Sequence, residues 1–229
     1  MANMLGEDAD TLAERIVANI ERPEEGIFKS IEAKDGYINF RLDQAKWSEL
    51  VLQEINTRKS NYGKPPMEVS RRILIEHTNS NPNKPLHIGT IRNTILGDCL
   101  QRILRFVGNE TIVLNYIDDS GAQVADNLVA HLHLGYPLES SGERFDYYAG
   151  RVYSHIHSKI ELDEDLKKKR SKIISEIERG GNEVSAFARD FAEKVMVNQL
   201  RTCWRLGAFF DLLNWESDVV RSGLLDQVI

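Results

Sequence analysis

The sequence predicts an α/β fold, and three observations carry that expectation. An apolar stretch, Ile73-Leu-Ile75, passes through Glu76 into the polar loop Asn79-Ser-Asn-Pro-Asn-Lys84, which ends in His87-Ile-Gly89 at the start of a long amphipathic segment. A second β-rich run at 111–117 follows that segment, so the unit reads strand, helix, strand. Upstream, a shorter alternation of strands and helices forms a separate α+β module.

In chain order, residues 10–20 read as a short helix. Two alternating strands, 27–33 and 37–42, flank the turn Lys34-Asp-Gly36. A second helix at 45–56 carries Trp47, Leu50, Val51 and Ile55, and the Gly- and Pro-containing linker 60–66 closes the module. The next strand is expected at 71–78. Its helix carries Ile91, Ile95, Cys99, Ile103 and Val107 every four positions, with Leu96, Leu100 and Leu104 beside them. Gly108-Asn109 ends that helix before the strand at 111–117. The whole unit spans about 45 residues, enough for a right-handed parallel crossover. Helices are then expected near 125–134, 145–161, 164–179 and 183–206, broken at Gly135-Tyr-Pro137 and Gly180-Gly181.

Composition narrows the class. At 229 residues, with 41% hydrophobic and 28% charged residues, the chain has the make-up of an ordinary globular protein. No run approaches the ~20 apolar residues needed to cross a bilayer, and the acidic first ten residues do not form a signal peptide. Cytoplasm is the expected compartment and no membrane partner is expected. Cys99 and Cys203 both fall on expected helices and read as core thiols, since two isolated cysteines make neither a disulfide framework nor a zinc site.

A net charge of −6 does not announce a nucleic-acid binder, but the sign is local. Arg58, Lys59, Lys64, Arg71 and Arg72 stand against one acid, Glu68. The run Lys167-Lys-Lys-Arg-Ser-Lys172 lies among Glu161, Asp163, Glu164, Asp165, Glu176 and Glu178 and reads as a solvated helical face.

The candidate site is the junction of strand, loop and helix. In open α/β sheets ligands sit beyond the carboxyl ends of the strands, and a helix N-terminus offers free N–H groups and partial positive charge to a phosphate. His87 can donate to a phosphate oxygen, and Gly89 lets a phosphate or ribose approach the backbone. Asp119, Gly121 and Gln123 form a turn after the second strand, read as lining the crevice in preference to a purely structural turn. His131/His133 and His155/His157 invite a metal reading, but residues i and i+2 on a helix point about 200° apart, so neither pair chelates one ion. No metal site is expected. Neither a Walker A loop nor Gly-x-Gly-x-x-Gly is present.

The stretch Glu76-His-Thr-Asn-Ser-Asn-Pro-Asn-Lys-Pro-Leu-His-Ile-Gly-Thr-Ile-Arg-Asn-Thr-Ile-Leu-Gly-Asp98 resembles the signature strand, loop and helix of class I aminoacyl-tRNA synthetases, and within them the arginyl-tRNA synthetase family. The resemblance continues through Arg102-Ile-Leu-Arg-Phe-Val-Gly108, through Asn115-Tyr-Ile-Asp-Asp-Ser-Gly-Ala-Gln123, similar to that family's Asp-x-Gly-x-Gln turn, and through Leu206-Gly-Ala-Phe-Phe-Asp211 and Trp215-Glu-Ser217. It implies a Rossmann-type catalytic core. Residues 1–65 would be the N-terminal additional domain that contacts the tRNA corner, 66–127 the first half of the core, 128–200 a helical connective insertion, and 201–229 the start of the return.

The resemblance also implies roles. His87, Gly89 and Thr90 would serve the ATP nucleotide and Lys84 its phosphates. Glu76 would meet the arginine guanidinium, for which a planar carboxylate is chemically apt, and Asn81 the amino acid's backbone polar groups. Thr90 stands where the family's His-x-Gly-His motif usually has its second His; a hydroxyl donates one hydrogen bond but carries no positive charge. Lys84 would compensate, as a Lys just upstream of the signature is thought to do in members lacking the later Lys-Met-Ser-Lys loop.

The implied reaction is ATP-dependent formation of arginyl-adenylate and transfer to the tRNA terminal ribose. Magnesium is implied by the ATP, and a monomer is implied for the full-length protein. No Lys-Met-Ser-Lys loop or anticodon-binding domain occurs in these residues, so the chain reads as an N-terminal fragment inactive by itself. A truncated paralogue that binds tRNA or nucleotide without catalysis is the alternative. A small nucleotidylyltransferase is disfavoured, since it needs neither the N-terminal module nor the helical insertion.

Overall fold

The computed structural model describes residues 6–21, 26–66 and 69–224. Glu68 and residues 1–5 of the acidic start lie outside them. The chain divides into two compact units, Met1–Pro65 and Pro66–Ile229.

In the first unit, helix α1 (Ala9–Ala18) is capped by Asp8, whose carboxylate accepts the Asp10 and Thr11 N–H groups. Strands β1 (Phe28–Lys34) and β2 (Tyr37–Leu42) pair antiparallel. The two residues between them, Asp35 and Gly36, have φ of 52° and 75°, the pair of left-handed conformations a two-residue hairpin requires. Leu12 and Ala13 of α1 and Ile31 of β1 are buried. Helix α2 (Gln44–Arg58), capped by Asp43, buries none of its residues, and Trp47, Leu50 and Ile55 are exposed.

The second unit holds a parallel sheet in the order β3-β4-β5, from β3 (Arg72–Glu76), β4 (Glu110–Ile117) and β5 (Leu212–Trp215). Helix α3 (Ile88–Phe106) makes the crossover from β3 to β4. Four helices separate β4 from β5: α4 (Ala122–His133), α5 (Phe145–Leu162), α6 (Glu164–Arg179) and α7 (Glu183–Arg205). Helix α8 (Glu216–Arg221) follows β5.

The main core lies among α4–α7, where Val124, Leu128, Val129, Ile156, Ile160, Ile177, Phe191 and Val195 are fully buried. Each such side chain contributes about 1.5–3 kcal/mol. Every residue of α4 from Val124 to Ala130 is buried, so this helix runs through the middle of the group and does not lie on its surface. A smaller cluster of Ile117, Met196 and Leu200, with Leu213 and Trp215 against it, ties α7 to the sheet.

Four expectations are corrected here. The first strand of the sheet ends at Glu76 and does not reach 78, because Thr78 and Asn79 turn into the left-handed region with φ of 77° and 47°. The apolar stripe of α3 is not its buried face. Thr90, Thr94, Gly97, Asp98 and Gln101 face inward, while Leu100 and Ile103, half or more exposed, lie on the other side with Ile95 and Leu96. Cys99 belongs to that outer side and is exposed, so only Cys203 is a core thiol; burial pushes its thiol up to about 11. The basic run on α6 is likewise not all solvated: Arg170 turns inward to Glu161, at 2.8 Å, and towards the buried Asp126, at 3.5 Å.

Candidate active site

The carboxyl ends of β3 and β4 open onto the loop that leads into α3, and side chains continue the ladder where the strands stop. The Asn79 N–H donates to Asn115 Oδ1 at 3.1 Å, the Tyr116 N–H donates to Asn79 Oδ1 at 3.1 Å, and Asn79 Nδ2 donates to Glu76 at 2.7 Å. An Asn in the left-handed region can do this because its short amide mimics a backbone unit. The chain is thereby turned out of the sheet towards the N-terminus of α3.

His87 caps that helix. Its Nδ1 accepts the Thr90 N–H at 3.2 Å, which puts the ring proton of the neutral imidazole on Nε2. Nε2 lies 3.4 Å from Thr90 Oγ1 and is the donor left for a ligand. Gly89 has a structural reason to lack a side chain, since a Cβ there would stand 3.0 Å from His87 Cε1 and crowd the ring. Thr90 is buried beneath the ring.

Asn81, Lys84, His87, Thr90 and Gln123 line one cavity of about 150 Å³, together with Gln199 from α7. A groove of about 730 Å³ opens beside it between the loop and α5, lined by Lys84, His87, Tyr147, Arg151 and His155. Lys84 is half-buried, its Nζ 5.5 Å from the centre of the Tyr153 ring.

Asn81 brings in an acid. Its Nδ2 donates to Asp118 Oδ2 at 2.6 Å. Burial, reinforced by the neighbouring Glu216, raises the Asp118 carboxyl to about 6. Tyr116 donates its hydroxyl to Glu216 at 3.3 Å, and burial beside that carboxylate pushes the phenol up to about 12. Ser120 also bonds Glu216.

The remaining sequence candidates sit elsewhere. Glu76 is exposed at the strand end, bonded to Asn79 and not among the cavity-lining residues. Asp119 points away from the cavity: it accepts the Ser217 N–H at 2.9 Å and its hydroxyl at 2.6 Å, and lies 3.3 Å from Arg189, which stacks on Trp215. Gly121 caps α4 and leaves room for Asp118, whose Oδ1 would be 2.8 Å from a Cβ at that position.

Each histidine of the two pairs has neighbours of its own. His131 donates from Nδ1 to the Tyr136 carbonyl, 3.0 Å away, amid Tyr148, Phe187 and Phe191, and burial holds its pKa down. His157 bonds Asp126 at 2.8 Å. Among the described residues no group of three or more His, Cys, Asp or Glu is arranged to hold a metal ion.

Residues 51–221 match the family model described as tRNA synthetases class I (R), catalytic domain, and residues 1–42 match that of the arginyl tRNA synthetase N terminal domain. The chain belongs to the class I (R) tRNA synthetase family.

Among curated relatives, the arginine–tRNA ligase of Thermococcus sibiricus is 37% identical over 228 residues, covering 94% of this chain and 35% of that protein. That of Thermus thermophilus is 40% identical over 194 residues, covering 85% and 30%. The solved Thermus thermophilus arginyl-tRNA synthetase superposes with a TM-score of 0.73 at 35% identity, over 99% of this chain and 35% of that one. The Plasmodium falciparum arginyl-tRNA synthetase, at 19% identity and a TM-score of 0.60, shows the same fold. The chain spans about a third of the length of the curated relatives it matches.

Three residues of this synthetase chain escape a reading of its sequence: Asp118, Glu216 and Gln199. Asp118 had a signal, since it stands beside Asp119 at a strand end, where successive side chains point to opposite sides. Gln199 had none, because it reaches the loop from a helix more than a hundred residues later in the chain.

Proposed function

We propose that the chain supplies the ATP- and arginine-recognising half of an arginine–tRNA ligase. Asn81, Lys84, His87 and Thr90 converge on one cavity at the start of a helix, and that convergence supports the reading. The amino acid carboxylate attacks the α-phosphate in line, pyrophosphate leaves, and the adenylate's carbonyl is then attacked by a hydroxyl of the tRNA terminal ribose with loss of AMP.

His87 donates from Nε2 to a phosphate oxygen, Gly89 offers its N–H at the helix start, and Thr90, whose own N–H is taken by His87 Nδ1, offers its hydroxyl. Lys84 neutralises triphosphate charge as it develops, and Asn81 holds the amino acid's backbone polar groups. Glu76 accepts the guanidinium once its side chain leaves Asn79. Asp119, Gly121 and Gln123 complete the turn on the far side of the crevice, with only Gln123 facing the ligand. Magnesium arrives on the triphosphate as part of the substrate, held by its oxygens.

The division of labour proposed for the chain is a tRNA-corner contact by residues 1–65, the first half of the catalytic core in 66–127, a helical connective insertion in 128–200, and the return to the core from 201. No helix among the described residues is long and apolar enough to cross a membrane. A cytoplasmic monomer with tRNA as partner completes the proposal.

Arginine-dependent ATP–pyrophosphate exchange by the natural full-length protein, with tRNA present, tests it. Exchange is expected with arginine and not with lysine. A protein that binds tRNA and nucleotide yet exchanges with no amino acid would be a non-catalytic paralogue, and the ligase reading would fall.

A further inference from the structure

We propose that Gln199 is a positioning residue, whose amide holds the main chain of the loop carrying Asn81 and Lys84. The proposal rests, for its consequence in the reaction, on the ligase reading above.

Gln199 projects from α7 and is 4% exposed. Its Nε2 donates to the Asn81 carbonyl at 3.0 Å and to the Lys84 carbonyl at 2.7 Å, and its Oε1 accepts the Ser80 hydroxyl at 3.0 Å. The two carbonyls can only accept, so the amide orientation follows from its partners. One side chain thus spans the loop from Ser80 to Lys84.

The loop has little else to fix its course from within: its one internal backbone bond runs from the Asn83 N–H to the Asn81 carbonyl. Asn127 of α4 donates to the Asn83 carbonyl at 3.3 Å, and Gly150 of α5 fits closely enough that a Cβ would lie 3.0 Å from Pro85 Cδ and 3.2 Å from Lys84 Cβ. The helices between β4 and β5 therefore grip the backbone of this loop, with Gln199 as the polar clasp. Held by its carbonyls, the loop keeps the Asn81 amide on Asp118 and the Lys84 ammonium beside Tyr153, where both line the cavity.

Gln199→Met keeps length and apolar bulk but removes both donors and the acceptor. Gln199→Glu keeps the acceptor for Ser80 and sets carboxylate oxygen against two carbonyls, so it is expected to be the worse of the two. Met196→Ala, about one turn earlier on α7, opens a packing defect against Ile117 without touching the loop and is the structural control.

Hydrogen exchange on the full chain is the first measurement. Gln199→Met is expected to speed exchange at residues 80–87 while α4–α6 keep their protection, and Met196→Ala is expected to lower the melting temperature without that local signature. Single-turnover adenylate formation in the natural full-length protein is the second, and Gln199→Met is expected to slow it about 10- to 100-fold, the scale of a small misplacement of reacting groups, with the KM for ATP little changed.

Unchanged exchange at 80–87, or protection lost evenly over α4–α7, would overturn the proposal. So would a loosened loop with the parent turnover. Should the parent form no arginyl-adenylate, the ligase reading fails by itself, and hydrogen exchange alone decides whether Gln199 holds the loop.

Discussion

The ring of His77, just past the end of β3, lies against the backbone of Gly97 in the middle of α3: a Cβ at position 97 would stand 2.2 Å from His77 Cγ and 2.4 Å from its Cβ. His77 Nδ1 bonds Thr78 Oγ1 at 3.0 Å, Thr78 Oγ1 bonds Thr94 Oγ1 at 2.9 Å, and Thr94 donates to the Thr90 carbonyl at 3.0 Å. This buried polar chain joins the strand exit to the helical turn that carries His87 and Thr90, and it explains why the inward face of α3 is polar. Burial holds the His77 pKa down, and the nearby Asp98 carboxylate offsets only part of that effect.

Gly97→Ala separates two opposed effects. Alanine in a helix interior gains about 1 kcal/mol over glycine. Overpacking a well-filled site costs about 1–3 kcal/mol or more, and the clash is with ring and Cβ atoms that have no free end to swing away. A net loss of roughly 1–2 kcal/mol is expected in denaturant unfolding. A more stable variant would mean that His77 does not occupy this contact.

Glu76→Gln keeps shape and removes charge. In the full-length protein it is expected to weaken arginine binding by roughly 1.5–3 kcal/mol, the worth of a charge-assisted hydrogen bond, with ATP affinity little altered. Since Glu76 bonds Asn79 in this structure, the substitution also reports whether that bond gives way to the substrate. An unchanged KM for arginine would remove Glu76 from the amino acid site.

Lys84→Ala is expected to slow adenylate formation about 100-fold, the scale of one preorganised charge donor, and Thr90→Ala by less. Thr90 Oγ1 already faces His87 Nε2, so its loss is partly a loss of support for the ring. Single-turnover measurement reads both, and parent-like adenylation by Lys84→Ala would refute the compensating role of that lysine.

Asp118 predicts a pH dependence of stability. Its carboxyl is raised from 3.8 to about 6, chiefly by burial, so between those values the folded state holds a proton that the unfolded state has released. Stability therefore falls as pH rises through that window, and the cost is complete above it. Asp118→Asn removes the cost and can still accept from Asn81. Its melting temperature is expected to exceed the parent's by a few degrees at pH 7.5, with the gap closing as pH falls below about 4. A gap that stays constant across that range would show that the Asp118 charge costs the fold nothing.

The sequence by itself determined what neighbours in the chain decide. The Asp35-Gly36 hairpin, the caps at Asp8 and Asp43, the helix start at His87 and the strand–helix–strand order depend on turn chemistry, capping and periodicity within a few residues, and the run from Glu76 to Asp98 carries the family resemblance. Tertiary structure decided what distant partners decide. Periodicity marked an apolar stripe on α3 but could not say that the opposite face would meet His77 and the Thr78 hydroxyl. It could not tell Asp118 from Asp119, because one step at a strand end sends one carboxylate to Asn81 and the other to Ser217. Nor could it bring Gln199 to the loop: the two lie more than a hundred residues apart in the chain, and the amide meets the Asn81 and Lys84 carbonyls only once α7 has folded against them.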